Sequence, residues 1–208
     1  MRVLIIGGGG FSAEVADLVR TLGHTVVGYY DAQPSGPTGY GDDAPPIRNT
    51  LDEWDAAAAA WAIGDGAVRN RFKATVARRF ELPVFVHPSA SVSPSAEIGQ
   101  GSLIMQNVVV NANARVGSDT ILNVACCVAH DCSVGDFVHL APGVQMGGGS
   151  SVGEGVFCGT NSTILPGTAI GEWSTCGAGA VVTSDIPARS VAVGVPARVV
   201  RRLEESAR

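Results

Sequence analysis

A six-residue period of apolar side chains runs through the second half of the chain and constrains its fold more than any other feature. From Val92 onward, sixteen positions spaced six residues apart are all apolar. This period fits neither an α-helix nor the alternation of a simple strand, but it is typical of a hexapeptide β-helix, in which short strands alternate with turns and coils stack. The sixteen positions are Val92, Ile98, Ile104, Val110, Val116, Leu122, Val128, Val134, Leu140, Met146, Val152, Cys158, Ile164, Ile170, Cys176 and Val182.

Small residues suited to corners follow most of these apolar positions. Glycine or asparagine stands directly after ten of the sixteen, and both types tolerate the positive φ or tight backbone that a corner requires. With three hexapeptides per triangular coil, one coil takes eighteen residues, and residues 92–182 make about five coils. Cys158 and Cys176 are eighteen residues apart, so we expect them to stack as core residues.

Charged residues are scarce in the repeat, which bears on its assembly. Only seven lie between residues 92 and 182, so the outer faces of the prism are largely uncharged. A monomer rarely exposes that much apolar surface, and association of three copies in a ring would bury it. We therefore predict a homotrimer. The seven residues are Glu97, Arg115, Asp119, Asp131, Asp136, Glu154 and Glu172.

Residues 1–86 follow a different, α/β pattern. A buried strand at 3–6, a turn of four glycines, a helix at 11–22 and a strand at 25–30 predict a Rossmann-like βαβ unit. We expect residues 32–50 to form a loop, a strand to end before Gly64, and a helix to cover residues 67–80.

The four glycines lie where a strand passes into a helix, and such a turn can present backbone N–H groups to a phosphate. The spacing Gly7-x-Gly9-x-x-Ser12 has serine where the dinucleotide fingerprint has its third small residue. Binding of a nucleotide or sugar nucleotide and a merely tight turn both remain open. Asp31 could accept hydrogen bonds from a ribose or base, or cap a loop. About 86 residues make half of a classical dinucleotide domain, which argues against redox chemistry.

Composition excludes several classes of function. A net charge of −5 and a pI near 5.3 provide no electrostatic footprint for nucleic acid or an anionic bilayer. No apolar run approaches the ~18 residues of a membrane span, and no signal peptide is recognisable, so we expect a cytoplasmic protein. Five cysteines without C-x-x-C spacing favour neither disulfides nor structural zinc.

The sequence resembles the hexapeptide-repeat acyltransferases, whose fold is the left-handed parallel β-helix. With its N-terminal segment it resembles the sugar acetyltransferases of the sialic-acid O-acetyltransferase and PglD (bacillosamine N-acetyltransferase) type, which include the perosamine N-acetyltransferases. The resemblance implies a nucleotide-sugar-binding domain at 1–86 and a β-helix acyltransferase domain at 87–208, ending in a short basic helix or tail. It rests on Gly7-Gly8-Gly9-Gly10, Asp31, Ala62-Ile63-Gly64-Asp65, Val86-His87-Pro88-Ser89-Ala90, residues 107–139 including His130-Asp131 and Phe137-Val138-His139, and Val193-Gly194-Val195-Pro196-Ala197-Arg198.

The resemblance also implies which residues bind the two substrates. The nucleotide-linked amino sugar is assigned to the N-terminal domain and acetyl-CoA to the repeat, with no metal. This chain has Phe11-Ser12 where the family often has a histidine followed by a small residue, and Ala32 where it often has a second acid. The implied sugar-nucleotide residues are Gly9, Gly10, Phe11, Asp31 and Gly64, and the implied acetyl-CoA residues are His139, Gly148, Thr160 and Ala178.

His130 is the candidate catalytic base. Transfer of an acetyl group from a thioester to an amine needs a group that takes the proton of the nucleophile, and imidazole suits that near neutral pH. The resemblance places the base at His130 and an acid that raises its basicity at Asp131. Neighbouring strand residues point to opposite sides, so Asp131 reaches His130 only if a corner bends the chain or if its partner lies on another subunit. His130 could instead be a surface or interface histidine.

His139 lies nine residues, half a coil, beyond His130, and is expected on a different face of the same prism. The two histidines could then share a site only across a subunit groove. Packing at an interface is the alternative for His139.

We therefore predict an acetyl-CoA-dependent N-acetyltransferase acting on a UDP-linked 4-amino sugar or a GDP-perosamine-like sugar. Transfer is direct, with the oxyanion held by backbone N–H groups and without a cysteine nucleophile. A sugar O-acetyltransferase of the sialic-acid type is the alternative. A non-catalytic trimeric sugar-nucleotide-binding protein and a zinc carbonic anhydrase, which needs three converging histidines, are the remaining hypotheses.

Overall fold

The N-terminal part of the chain forms a parallel sheet flanked by two helices. The computed structural model describes residues 1–33 and 45–204. The elements of the N-terminal part are β1 (Arg2–Ile6), α1 (Phe11–Thr21), β2 (Thr25–Tyr30), β3 (Ile47–Arg48), β4 (Ala58–Trp61) and α2 (Gly66–Ala77). The four strands are ordered β3-β2-β1-β4 in the sheet. The predicted βαβ unit is confirmed, with β1 and β2 parallel and α1 between them in sequence.

Strand β1 contributes to two hydrophobic cores because its side chains alternate between the faces of the sheet. Val3 and Ile5 belong to the core beneath α1, whereas Leu4 and Ile6 belong to the core that includes Val76 of α2. The core beneath α1 is continuous with the interior of the repeat domain. The two parts of the chain are therefore packed together.

The prediction of a loop at 32–50 is wrong at its end, where β3 adds an edge strand to the sheet. Tyr29 and Tyr30 of β2 pair with Ile47 and Arg48. A two-residue strand is too short to show any period, so the sequence pattern could not reveal it. Residues 34–44 of this predicted loop lie outside the described residues.

The repeat forms sixteen two-residue strands, and the second residue of each is the predicted apolar residue. Strands eighteen residues apart pair in parallel, so Cys158 lies opposite Cys176 as predicted. The strands are β6 (Ser91–Val92), β7 (Glu97–Ile98), β8 (Leu103–Ile104), β9 (Val109–Val110), β10 (Arg115–Val116), β11 (Ile121–Leu122), β12 (Cys127–Val128), β13 (Ser133–Val134), β14 (His139–Leu140), β15 (Gln145–Met146), β16 (Ser151–Val152), β17 (Phe157–Cys158), β18 (Thr163–Ile164), β19 (Ala169–Ile170), β20 (Thr175–Cys176) and β21 (Val181–Val182).

These strands build the three faces of a prism. One face has the order β21-β18-β15-β12-β9-β6 and the second has β19-β16-β13-β10-β7. The third runs β20-β17-β14-β11-β8 and is extended by β5 (Phe85–Val86) at one end and by β22 (Ser190–Val193) and β23 (Arg198–Arg202) at the other. Because β5 pairs with β8, the first strand of this face lies just before residue 87, where we place the start of the second domain. That boundary stays a prediction.

The sequence allowed two roles for a glycine directly after an apolar position, a positive φ or a tight backbone. The structure shows the second role. Positive φ falls three residues after the apolar position, for example at Asn107, Asn113 and Asp131. The glycines directly after the apolar position are instead needed for close approach, since a Cβ at Gly99 would lie 2.5 Å from the nitrogen of Ser118 in the next coil. Stacking of coils, rather than backbone handedness, requires glycine there.

A buried arginine of α2 joins the N-terminal part to the prism. Arg69 is fully buried, and all five of its guanidinium N–H groups are used, each for one backbone carbonyl. Burial lowers the pKa of Arg69 to about 10, so it remains charged near neutral pH. The five acceptors are the carbonyls of Ile63 (2.7 Å), Gly64 (3.0 Å), Asp119 (2.9 Å), Phe137 (2.6 Å) and Val138 (3.0 Å).

The buried side chain of Asp119 strengthens the same junction. Its Oδ1 accepts a hydrogen bond of 2.8 Å from the indole N–H of Trp61, and its Oδ2 lies 2.7 Å from Nζ of Lys73. Lys73 lies one helical turn after Arg69 on α2. The charge of the Asp119 carboxylate is thus paired with the ammonium group of Lys73 from the N-terminal part.

Of the two alternatives for the residues after the exit segment, a short basic helix or a tail, the helix is wrong for the described residues up to Glu204, and residues 205–208 lie outside them. Arg198–Arg202 forms β23, which pairs antiparallel with β22. The segment pairs with Ser190–Val193 and forms a hairpin at the end of the third face. Pairing with an existing strand satisfies the backbone N–H and C=O groups of the segment better than an isolated helical turn would.

Replacement of Arg69 tests the junction. We expect Arg69→Met to lower the free energy of unfolding by ~3 kcal/mol or more, because each of the five carbonyls loses a hydrogen bond and a fully buried donor group is removed. The measurement is denaturant unfolding of the two proteins. Arg71→Met is the matched control, since Arg71 is exposed on the same helix and should change stability by less than about 0.5 kcal/mol. Equal stabilities for the two variants would contradict this role of Arg69.

Candidate active site

His130 and Asp131 form a hydrogen-bonded pair at one corner of the prism. Nδ1 of His130 lies 2.8 Å from Oδ2 of Asp131. The corner bends the chain at Asp131, whose φ is +59°, and this bend lets two neighbouring side chains meet. Since an ionised carboxylate only accepts, the proton lies on Nδ1 and the lone pair lies on Nε2. The side chains are 68% and 58% exposed in the single chain, so Nε2 is open to a ligand.

The pKa of the Asp131 carboxyl is lowered, first by the hydrogen bond from His130 and then by one from Asn113. Asp131 therefore stays anionic at neutral pH, and an anion beside Nδ1 favours the tautomer that leaves Nε2 as a proton acceptor.

Gly148 lies directly against the imidazole of His130, eighteen residues and one coil later. A Cβ at this position would lie 2.6 Å from Nε2 of His130, so a side chain here would displace the ring. The amide of Gly149 donates to the carbonyl of His130 at 2.9 Å and fixes the stacking of the two corners. The structure thus brings Gly148 to the candidate base.

His139 lies on a different face from His130, as predicted. His130 follows β12, whereas His139 belongs to β14 in the third face. Nδ1 of His139 lies 3.0 Å from the carbonyl of Gly64 and must donate to it, so Nε2 accepts from the amide of Asn123 at 3.5 Å. Its ring is stacked on that of Phe11, with 6.0 Å between the ring centroids, and meets the ring of Phe157 edge-on, with 5.4 Å between the centroids.

Two of the predicted sugar-nucleotide residues, Phe11 and Gly64, therefore meet the predicted acetyl-CoA residue His139. Burial, followed by the charge of Arg69, lowers the pKa of His139 to about 4, so the ring is neutral near pH 7. A groove of about 440 Å³ opens beside this ring and is lined by Gly64, Phe157 and Thr175 among others.

The glycine turn and the end of β2 enclose a second cavity, of about 310 Å³. Gly9 and Asp31 line it together with Tyr30 and Phe72. Oδ2 of Asp31 accepts from the amide of Gly8 at 3.0 Å and Oδ1 accepts from that of Gln33 at 2.9 Å. Asp31 thus fixes the turn, and each oxygen keeps a lone pair for a further donor.

Gly9 and Gly10 differ from Gly8 in their surroundings. A Cβ at either of them would meet nothing within 4 Å, whereas one at Gly8 would lie 2.7 Å from Oδ2 of Asp31. Gly10 is the N-cap of α1 and, like every glycine, offers no side chain to cap the helix. The turn therefore presents open backbone beside the start of a helix, which suits a phosphate.

Residues 62–67 separate the two cavities. Ala62 and Ile63 line the cavity at the glycine turn, and Gly64 lines the groove beside His139. A third groove, of about 620 Å³, lies along Lys73, Leu82 and Asp119 and contains none of the predicted site residues.

Thr160 and Ala178 lie away from His130. They stack on each other at the corner that follows the third face, where the amide of Gly179 donates to the carbonyl of Thr160 at 2.8 Å. Both are exposed. Within one chain the structure does not bring these two residues to Gly148 and His130.

Sequence reasoning missed Arg69, Asn113 and Asn123. Arg69 and Lys73 are four residues apart on a helix, which is a signal for a shared face, but charges on a helix are usually solvated. The two asparagines follow the repeat pattern and carry no signal beyond it. Their contacts with Asp131 and His139 depend on the stacking of coils.

The five cysteines all lie within residues 1–33 and 45–204, the part of the chain that the structure describes. Four of the five cysteines are buried and Cys127 is half-buried. Burial raises the pKa of Cys126 to about 12, so it is a neutral thiol. No three His, Cys, Asp or Glu side chains of this part of the chain converge on a point where a metal could bind. None of its helices is both long enough and apolar enough to cross a membrane.

The burial of His139 predicts a loss of stability in acid. Its pKa of about 4 in the folded chain lies below the ordinary 6.5, so the unfolded chain binds a proton first as the pH falls. The free energy of unfolding should therefore fall between about pH 6.5 and pH 4, by about 3 kcal/mol. The measurement is denaturant unfolding at several pH values.

His139→Asn is the control, because its amide can still donate to Gly64 but does not titrate. This component of the pH dependence should be missing in the variant. The same pH dependence in both proteins would show that His139 is not buried as a neutral ring.

Comparisons with known proteins identify the N-terminal segment first. Residues 2–76 match the family model described as the PglD N-terminal domain. A GDP-perosamine N-acetyltransferase from Escherichia coli O157:H7 is 31% identical over 104 residues, which cover 50% of this chain and 47% of that protein. The match thus spans about half the length of this curated relative.

Solved structures match nearly the whole chain. PerB from Caulobacter crescentus, in complex with CoA and GDP-perosamine, is 36% identical with a TM-score of 0.88, over 97% of this chain and 98% of that one. The acetyltransferase domain of PglB from Neisseria gonorrhoeae is 34% identical with a TM-score of 0.87, over 96% of this chain and 99% of that one. The expected fold, a Rossmann-like part followed by a left-handed parallel β-helix, is confirmed. The chain belongs to the PglD-type family of hexapeptide-repeat sugar N-acetyltransferases.

Proposed function

We propose that this protein transfers the acetyl group of acetyl-CoA to the amino group of a nucleotide-linked amino sugar, such as GDP-perosamine or a UDP-linked 4-amino sugar. The observation that carries the proposal is the His130–Asp131 pair, whose 2.8 Å hydrogen bond leaves Nε2 free on an exposed corner. The similarity to PerB, which was solved with CoA and GDP-perosamine, supports both substrate classes.

In this mechanism Nε2 of His130 accepts a proton from the amino group as its nitrogen attacks the thioester carbonyl. The new C–N bond forms and the C–S bond breaks, and the protonated imidazole returns the proton to the departing sulfur. Backbone N–H groups hold the oxyanion. No covalent acetyl-enzyme is needed, and the buried cysteines described above are poor nucleophiles.

Asp131 keeps His130 ready for that step. Its carboxylate holds the proton on Nδ1 and stabilises the imidazolium that forms when Nε2 takes a second proton. This effect is weak in open water, because exposed charges are screened. A second subunit that covers the corner and excludes water would strengthen it.

The sugar nucleotide is assigned to the glycine turn. Gly9 and Gly10 offer backbone N–H groups to a phosphate, and Asp31 offers carboxylate oxygens to a ribose or base. Phe11 and Gly64 lead from this cavity toward the groove beside His139. Binding of UDP-, GDP-, TDP- and CMP-linked amino sugars to this cavity identifies the preferred nucleotide.

The acetyl-CoA site is assigned to a groove between two subunits of a homotrimer. Gly148 lies with His130 on one corner, whereas Thr160 and Ala178 lie on another corner of the same chain. A neighbouring copy would bring its own Thr160 and Ala178 to the first corner, and it would also cover the exposed imidazole. The predicted cytoplasmic location stays a prediction.

Replacement of His130 tests the base. We expect His130→Ala to lower kcat by more than ~100-fold while the dissociation constant for acetyl-CoA stays nearly unchanged. The assay follows release of the CoA thiol with acetyl-CoA and a panel of UDP-, GDP-, TDP- and CMP-linked amino sugars and their hydroxyl counterparts. His87→Ala, at the linker, should keep full activity.

A His130→Ala variant within a few-fold of the wild-type kcat would remove His130 as the base. Turnover of the hydroxyl sugars but not the amino sugars would indicate O-acetylation. Binding of a sugar nucleotide without any release of CoA would indicate a non-catalytic protein.

Mixed trimers test the shared groove. The protein should sediment near three times 21.2 kDa. His130→Ala and Thr160→Glu subunits should each be inactive alone, the second because a carboxylate would repel the phosphates of CoA. When the two are unfolded together and refolded, some grooves combine an intact His130 with an intact Thr160, so activity should return. An active monomer, or no recovery in trimers shown to be mixed, would contradict the shared site.

A further inference from the structure

Asn113 lies one coil before Asp131 on the same corner, and its side chain points to the candidate acid. The two residues are eighteen apart and share the same positive φ of 59°. Nδ2 of Asn113 donates to Oδ1 of Asp131 at 3.0 Å, while Oδ2 of Asp131 accepts from Nδ1 of His130 at 2.8 Å. The three side chains thus form one connected chain of hydrogen bonds.

The position of Asn113 is itself fixed from below. Its backbone N–H donates to Oγ of Ser95 at 3.1 Å, and the backbone N–H of Asp131 donates to the carbonyl of Ala112 at 3.0 Å. These backbone hydrogen bonds therefore fix the side-chain amide of Asn113 next to the carboxylate of Asp131. An exposed carboxylate with one oxygen engaged loses much of its freedom to rotate, and its other oxygen then faces Nδ1.

A second corner of the same prism shows that the repeat does not require an acidic residue one coil after an asparagine with positive φ. Asn107 has a φ of 58°, and its backbone N–H donates to Oγ of Ser89 at 3.0 Å, as that of Asn113 does to Ser95. One coil later, however, Ala125 stands where the other corner has Asp131. The turn needs neither the acid nor its contact with the amide.

A neutral amide is well suited to this place. It orients the carboxylate through a single donor and leaves the negative charge of Asp131 available to His130. A lysine or arginine at position 113 would neutralise that charge and weaken the field at the imidazole.

We propose that Asn113 is a positioning residue that fixes the Asp131 carboxylate and thereby holds His130 in the tautomer with Nε2 free. The catalytic part of this inference rests on the proposed function. The tautomer part does not, because it can be measured without any substrate.

The variant that tests it is Asn113→Gly, since glycine accepts a positive φ without strain and removes only the side chain. Asn107→Gly is the matched control at the other corner. We expect Asn113→Gly to lower kcat by about fivefold to tenfold, with KM for both substrates within about twofold. Asn107→Gly should keep the wild-type kcat, and both should unfold at similar temperatures.

Imidazole ¹⁵N spectra supply the readout that a structural role would not change. In the wild type His130 should be mainly protonated on Nδ1 in its neutral form. In Asn113→Gly the population protonated on Nε2 should rise, and in Asn107→Gly it should not. Asn113→Gly should also have no further effect on kcat when Asp131 is already alanine.

An unchanged tautomer population and kcat in Asn113→Gly would overturn the proposal. So would an equal loss of kcat when Asp131 is absent, since Asn113 would then act independently. If no sugar nucleotide is acetylated by the wild type, the proposed function fails, and the ¹⁵N spectra still decide whether Asn113 orients the pair.

Discussion

Arg69 carries the contact on which the geometry of the whole molecule depends. Its five hydrogen bonds join two carbonyls of the N-terminal part to three carbonyls of the prism. One of these carbonyls, that of Gly64, also accepts from Nδ1 of His139. A single buried cation therefore fixes both the relative position of the two parts and the groove between them. The hydrogen bonds offset the desolvation cost of burying the guanidinium charge, because every N–H donor has a partner.

The second organising constraint is the eighteen-residue coil. It places residues that are distant in sequence directly above one another, so a side chain at one level meets a defined residue of the next. Gly148 leaves room for the ring of His130, and Asn113 reaches Asp131 from the coil below. The proposed chemistry thus depends on the stacking of corners from coil to coil, which determines which residues of different coils can meet.

The sequence predicted the features that periodicity determines. The sixteen strands, the pairing of Cys158 with Cys176 and the separation of His130 from His139 onto different faces all follow from counting residues. The bend at Asp131, which lets it contact His130, was one of two alternatives that the sequence left open. Strands β3 and β23 were missed because their formation depends on pairing with β2 and β22, which local patterns do not encode. The role of Arg69 was missed for the same reason, since its acceptors are up to 69 residues away.

In the proposed mechanism, the imidazole of His130 receives the proton of the sugar amine in a groove shared by two copies of the chain. The most direct measurement is a crystal structure with CoA and the amino-sugar nucleotide that the protein acetylates. We expect the amino nitrogen within about 3 Å of Nε2 of His130, with Thr160 and Ala178 of a neighbouring copy against the CoA. An amine held beside another residue, or both ligands bound within a single chain, would contradict it.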